Sequence, residues 1–102
     1  LPEHVEVVVI DVSFISLKLV LPAVLARLKP GGLLIALVKP QFEAGPQGVD
    51  KGGVVKDPAV RLAAIEGIRR FVAAEGLTEV GWIDAPVPGP AGNLEALLVA
   101  RR

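Results

Sequence analysis

The stretch Leu33-Leu34-Ile35-Ala36-Leu37-Val38-Lys39-Pro40 decides the fold that this sequence predicts. It opens with six apolar residues in a row, without the polar alternation of a half-exposed strand. Such a run is typical of a strand that is buried on both faces of a parallel sheet, and the mostly apolar run at residues 5–10 predicts the same for the first strand. Lys39-Pro40 ends the run, so the predicted strand covers residues 33–38.

Further strands and helices are predicted on both sides of this run. Apolar residues at helical spacing indicate two helices, with Ser16 and Asp57 as their N-caps. Lys29-Pro30-Gly31-Gly32 has the composition of a helix stop. In chain order, the predicted elements are strand 5–10, helix 17–28, strand 33–38, helix 58–75, strand 77–83 and strand 94–100.

The order of these elements predicts the sheet topology. Strands joined by helices should be parallel, whereas the last two strands, joined by a loop, should be antiparallel. This arrangement is an α/β fold, the second half of a doubly wound sheet with a reversed final strand. Such a sheet needs parallel strands before Val5. We therefore expect the chain to be the C-terminal part of a larger domain.

Composition excludes several classes of function. The 102 residues have zero formal net charge, one histidine and no cysteine. Thiolate metal sites and disulfides are therefore impossible, and no metal site is expected. Neutral charge argues against a dedicated nucleic-acid binder, although a local basic patch stays possible. Neither a signal peptide nor a stretch long enough to span a bilayer is visible, so a cytoplasmic setting without membrane contact is expected.

Three charged residues are predicted to meet at one edge of the sheet. Asp11 follows the first strand and Lys39 follows the second, while Glu95 lies at the start of the reversed last strand. Ligands of such sheets bind outside the carboxyl ends of the parallel strands. A charge at a strand end is also common as a solvated boundary. Lys39, however, continues a buried run and needs anionic partners, which Asp11 and Glu95 supply.

Four motifs resemble one known family. They are similar to motifs of the TlyA, or haemolysin-A-like, group. The four motifs are Asp11-Val12-Ser13-Phe14-Ile15-Ser16, Leu37-Val38-Lys39-Pro40-Gln41-Phe42-Glu43-Ala44-Gly45, Lys51-Gly52-Gly53-Val54-Val55-Lys56-Asp57-Pro58 and Gly89-Pro90-Ala91-Gly92-Asn93-Leu94-Glu95. This group belongs to the FtsJ-type (RrmJ-like) RNA ribose methyltransferases. The resemblance covers essentially the whole chain, and it implies the C-terminal half of a Rossmann-like methyltransferase sheet.

The resemblance also implies a reaction and its catalytic residues. The family is similar to S-adenosylmethionine-dependent 2′-O-methyltransferases with a Lys-Asp-Lys-Glu tetrad. Asp11, Lys39 and Glu95 match its last three members, and the first lysine belongs upstream. The glycine-rich cofactor loop and the N-terminal RNA-binding domain are likewise absent from this chain. The parent protein is expected to be an enzyme and the 102 residues alone to be inactive. Whether Lys39 deprotonates the hydroxyl or orients it stays open.

Two further groups of residues are candidates for binding. Asp11, Ser13 and Phe14 would face the cofactor, where Phe14 could stack on a ring, although an aromatic residue at such a position is more often part of the core. The segment 41–56 is long for a connection, which favours either function or a mobile surface loop. Within it, Lys51, Gly52, Gly53 and Lys56 would suit contact with the phosphates of ribosomal RNA or ribosomal subunits.

Two other functions are alternatives to the methyltransferase. One is a membrane-active haemolysin, since some relatives carry that label. The other is a non-catalytic fold remnant that associates with itself. Because no strand precedes Val5, the first strand should have an uncovered edge, and unpaired strand edges promote association. We therefore expect the fragment to self-associate through this edge.

Overall fold

Four strands form a single mixed sheet, which the computed structural model describes at residues 5–13, 15–45, 48–49, 53–89 and 92–102. Three helices accompany the sheet in this described part. In chain order, the elements are β1 (Val5–Ile10), α1 (Leu17–Leu25), β2 (Leu28–Val38), α2 (Pro40–Glu43), α3 (Pro58–Ala74), β3 (Thr78–Asp84) and β4 (Ala96–Arg101).

The strand order is β1-β2-β4-β3. β1 pairs with β2 in parallel, and β4 pairs antiparallel with both β2 and β3. β3 therefore runs in the same direction as β1 and β2, and β4 is the reversed strand. The predicted α/β fold and its strand directions are confirmed. The insertion of β4 between β2 and β3 brings the start of β4 next to the end of β2.

β2 is longer than the sequence predicted. Residues 28–32 were assigned to a helix end and its stop, but they form the first part of the strand. Leu28 is fully buried and pairs with Val5, and the register then shifts before Val7 pairs with Leu33. Gly31 has a φ of 81°, which only glycine adopts readily, so this irregular segment can stay within the sheet.

The hydrophobic core lies between one face of the sheet and the helices α1 and α3. Both helices begin at the predicted caps: the side chain of Ser16 accepts from Lys18 N and that of Asp57 accepts from Ala59 N. The buried core consists of Ile10, Leu17, Leu21, Leu25, Leu28, Leu34, Ala36, Val38, Ile65, Ile68, Val72, Leu77, Ala96, Leu98 and Ala100, with Ala64 at its margin.

The opposite face of the sheet, which we call the open face, is apolar and uncovered by any described element. Val7 and Val9 of β1 are 52% and 69% exposed, and Ile83 of β3 is 63% exposed. The expectation that the first strand is buried on both faces is therefore wrong for the described residues. The reason is that α1 and α3 pack into one core on the same side of the sheet.

None of the helices in the described ranges combines the length and the hydropathy needed to cross a bilayer.

Candidate active site

Lys39 and Asp11 meet where the parallel strands β1 and β2 end. Lys39 Nζ lies 2.5 Å from Asp11 Oδ1 and donates a hydrogen bond to Ser13 Oγ at 2.9 Å. Lys39 is 9% exposed, whereas the Asp11 side chain is 62% exposed. The buried amine is therefore compensated by a carboxylate that remains open to solvent. The structure thus brings together two of the three charged residues that topology pointed to.

Glu95 lies at the start of β4 and is almost completely buried, at 4% exposure. Its Oε2 accepts a hydrogen bond from Gln41 Nε2 at 2.8 Å. We expected Glu95 to hold the lysine from the side opposite Asp11. Among the described contacts, the ion pair of Lys39 is with Asp11 and the side-chain partner of Glu95 is Gln41, so a direct Lys39–Glu95 contact was the wrong expectation.

Gln41 reaches Glu95 because a short helix follows Lys39. The sequence predicts a long polar loop over residues 41–56, but Pro40–Glu43 forms the helical turn α2. Pro40 is buried at the first helical position, where a missing N–H costs nothing. The pair Lys39-Pro40 was the available sequence signal for this helical turn, because proline is common at the first position of a helix. By itself the pair predicted only the end of the preceding strand.

Glu43, the last residue of α2, fixes the loop that carries Asp11 and Ser13. Its Oε1 accepts from Ser16 Oγ at 2.6 Å, and its Oε2 accepts from Leu17 N at 2.7 Å. A carboxylate at a helix N-terminus satisfies otherwise unpaired N–H groups and interacts favourably with the helix dipole. Glu43 therefore ties the start of α1 to the segment after β2. Sequence reasoning missed this residue as well.

Replacing Glu43 with alanine should lower the free energy of unfolding by about 2 kcal/mol, because two hydrogen bonds to a charged acceptor are lost. Urea unfolding at matched protein concentration measures the change. Glu75→Ala is the control, because Glu75 is exposed at the end of α3 and should change the free energy by less than about 0.5 kcal/mol. Equal effects of the two substitutions would contradict the role given to Glu43.

Asn93 anchors the end of the long segment after α2. The residue is 3% exposed, its Oδ1 accepts from Val55 N at 2.9 Å, and its Nδ2 donates to Gly53 O at 2.8 Å. Both polar groups of the amide are thus used to hold residues 53–55 beside the start of β4. Two candidate RNA-binding residues lie here: Gly53 begins the anchored stretch and Lys56 follows it. Both are exposed.

The remaining candidate residues fall outside the described residues. They are Phe14, Lys51 and Gly52. In the described part of the chain, no group of three or more histidine, aspartate or glutamate side chains could hold a metal ion.

The main chemical group at this edge of the sheet is the ammonium of Lys39, which is held in one place by its neighbours. Lysine has three N–H donors, and the described contacts of Lys39, with Asp11 and Ser13, use two of them. An exposed carboxylate lies beside it and can accept from a ligand. The arrangement suits a substrate hydroxyl that must be held in one orientation.

The curated proteins with related sequences include rRNA methyltransferases by name, and one relative, 35% identical over 92 residues, is named "Hemolysin A" of Brachyspira hyodysenteriae. The chain is 48% identical over 93 residues to the "Putative rRNA methyltransferase YqxC" of Bacillus subtilis, covering 91% of this chain and 33% of that protein. It is 43% identical over 98 residues to the "16S/23S rRNA (cytidine-2'-O)-methyltransferase TlyA" of Mycobacterium tuberculosis, covering 96% of this chain and 37% of that protein. The chain therefore spans about a third of the length of these relatives.

A solved structure has the same fold. "The crystal structure of a putative hemolysin from Lactococcus lactis" superimposes with a TM-score of 0.92 at 38% identity, covering 98% of this chain and 48% of that one. The word hemolysin there is a name, and it supplies no contact or residue for membrane activity. The family model described as FtsJ-like methyltransferase matches residues 1–102. With the fold and the relatives in agreement, this chain belongs to the FtsJ-like methyltransferase family.

Proposed function

We propose that residues 1–102 are the C-terminal part of an S-adenosylmethionine-dependent methyltransferase domain that modifies ribose 2′-hydroxyls of ribosomal RNA. The observation that carries this proposal is the buried amine of Lys39, held by Asp11 and Ser13 at the ligand-binding edge of the sheet. The names of the relatives support ribosomal RNA as the substrate. The catalytic residues in this proposal are Lys39, Asp11 and Glu95.

Lys39 has the central role in the proposed reaction. Asp11 and Ser13 account for two of the three lysine donors, and the third would bind the oxygen of the 2′-hydroxyl. An ammonium in contact with a carboxylate is a donor rather than a base, so we assign Lys39 to orienting the hydroxyl and stabilising negative charge on its oxygen. The proton that the hydroxyl loses would pass to the solvent-exposed carboxylate of Asp11 or to water beside it. Positioning of this kind can supply a large part of the rate enhancement.

Asp11 and Ser13 are the proposed cofactor-side residues, together with Phe14, which lies outside the described residues. The carboxylate of Asp11 fits a cationic cofactor, because its side chain follows the end of β1 and is 62% exposed. S-adenosylmethionine, when bound, supplies an electrophilic methyl group on a sulfonium. The rest of its binding site would come from residues that precede this sequence in a longer protein.

The RNA would lie along the segment that Asn93 anchors. Gly53 and Lys56 are exposed there, and Lys51 and Gly52 precede them outside the described residues. Gly53 has a φ of 78°, so the backbone turns sharply next to these lysines. Lysines at such a turn neutralise phosphates, and glycines allow the phosphates to approach closely. This local charge would suffice for contact although the chain as a whole is neutral.

A chimera tests the proposed function. The matched 98 residues of the Mycobacterium tuberculosis TlyA protein are replaced by this chain, and the product is incubated with ribosomal subunits and S-adenosylmethionine carrying a labelled methyl group. We expect ribose methylation by the chimera and none by the 102 residues alone. A chimera that folds and binds the cofactor but leaves ribosomal RNA unmethylated would contradict the proposal.

A further inference from the structure

The carboxylate of Glu95 is held on one side by Gln41. Glu95 is 4% exposed, and its Oε2 accepts from Gln41 Nε2 at 2.8 Å. A buried carboxylate requires hydrogen-bond donors, and here a side-chain amide provides one across 54 residues of sequence. The contact joins α2, which directly follows Lys39, to the start of β4.

Gly89 confines the same carboxylate from another side. A Cβ atom placed on Gly89 would lie 2.2 Å from Glu95 Oε2 and 3.0 Å from Oε1, so no larger residue fits without displacing the carboxylate. Gly89 N donates to Asn93 O at 2.8 Å, and Gly92 N donates to Gly89 O at 3.1 Å. These bonds fix the turn in which Gly89 lies. The Glu95 carboxylate is thus bordered by Gln41 of α2 on one side and by Gly89 on another.

The side-chain carbonyl oxygen of Gln41, Oε1, is not stabilised by this arrangement. Oε1 is shielded from solvent, and it has no hydrogen-bond partner among the residues that the structure describes. A buried acceptor without a partner is unfavourable. The opposite orientation of the amide would place Oε1 against a carboxylate oxygen of Glu95. This orientation is less favourable, because both atoms are acceptors and repel each other. A glutamine that leaves its own acceptor unpaired is a poor choice for stability, but it does place a donor on Glu95.

We propose that Gln41 is a positioning residue for Glu95 in the methyl-transfer site, and that Gly89 leaves the space in which the carboxylate is held. The inference rests on the proposed function and deepens it. Glu95 has no direct contact with Lys39 among the described ion pairs, so its place at the edge must be set by other residues. Gln41 supplies the polar contact and Gly89 the steric boundary.

Three variants of the TlyA chimera test this role. Gln41→Leu leaves the buried carboxylate of Glu95 without this donor, so the melting temperature should fall, and kcat should fall by roughly 10- to 100-fold through misplacement of Glu95. Gly89→Ala should lower kcat to a similar extent, because its methyl group displaces the same carboxylate. Gly81→Ala is the matched control: a Cβ there meets nothing within 4 Å, so kcat should stay unchanged.

The exchange variant Gln41→Glu with Glu95→Gln separates positioning from structural support. Gln41→Glu alone puts two carboxylates together and should lower both the melting temperature and kcat. Adding Glu95→Gln restores an amide–carboxylate pair, so the melting temperature should recover while kcat stays low, because the carboxylate is on the wrong residue. Recovery of both quantities, or full activity of Gln41→Leu, would overturn the inference. An unsubstituted chimera without activity would instead overturn the proposed function.

Discussion

Replacing Lys39 with alanine in the TlyA chimera should reduce ribose methylation by roughly 100- to 1,000-fold, the usual effect of removing one preorganised donor from a developing oxyanion. Lys39 Nζ is the donor that the structure fixes most firmly at this edge, through Asp11 at 2.5 Å and Ser13 at 2.9 Å. Single-turnover methylation of ribosomal subunits measures the effect.

The protein should stay folded after this substitution. The partner left behind, Asp11, has a side chain that is 62% exposed, so water can replace the lost ion pair. Thermal unfolding of the variant checks this point. Lys29→Ala is the matched control, because Lys29 lies 4.0 Å from Glu6, at the other end of β2, and its side chain is 51% exposed. Near-normal turnover of a folded Lys39→Ala chimera would show that the catalytic assignment is wrong.

The second large effect concerns the state of association. The 102-residue chain should self-associate in solution, because its sheet has both an unpaired edge and an apolar open face. β1 is an edge strand, and Val7 and Val9 on it are 52% and 69% exposed. Exposed strand edges and contiguous apolar patches both promote association. Sedimentation and light scattering over a range of concentrations should show species larger than a monomer.

Charged substitutions locate the surface responsible. Val9→Lys with Ile83→Lys places two charges on the open face and should shift the chain toward monomer. Leu19→Lys is the control, because Leu19 is 73% exposed but lies on α1, on the other side of the sheet. In a doubly wound fold helices cover both faces, so the chimera should be less associated than the chain alone. A clean monomer of the unsubstituted chain at high concentration would contradict the prediction.

Most of the fold could be predicted because its signals are local. Apolar runs, interrupted in β1 only by Glu6, marked β1 and the second part of β2, and helical spacing with the caps Ser16 and Asp57 marked α1 and α3. The residues at the strand ends, Asp11 and Lys39, follow from the same runs. Residues 28–32 were misassigned because proline and glycine favour a turn locally, whereas pairing with β1 and the burial of Leu28 keep them in the strand.

The sequence by itself determined the type and direction of the strands, and with them the edge at which Asp11, Lys39 and Glu95 gather. Only the tertiary structure decided the contacts at that edge: the donor on Glu95 is Gln41, and Glu43 holds the start of α1. It also decided that one face of the sheet stays open. Periodicity and capping act within a few residues of the chain, whereas these contacts join residues 26 to 54 positions apart and depend on how strands and helices pack together.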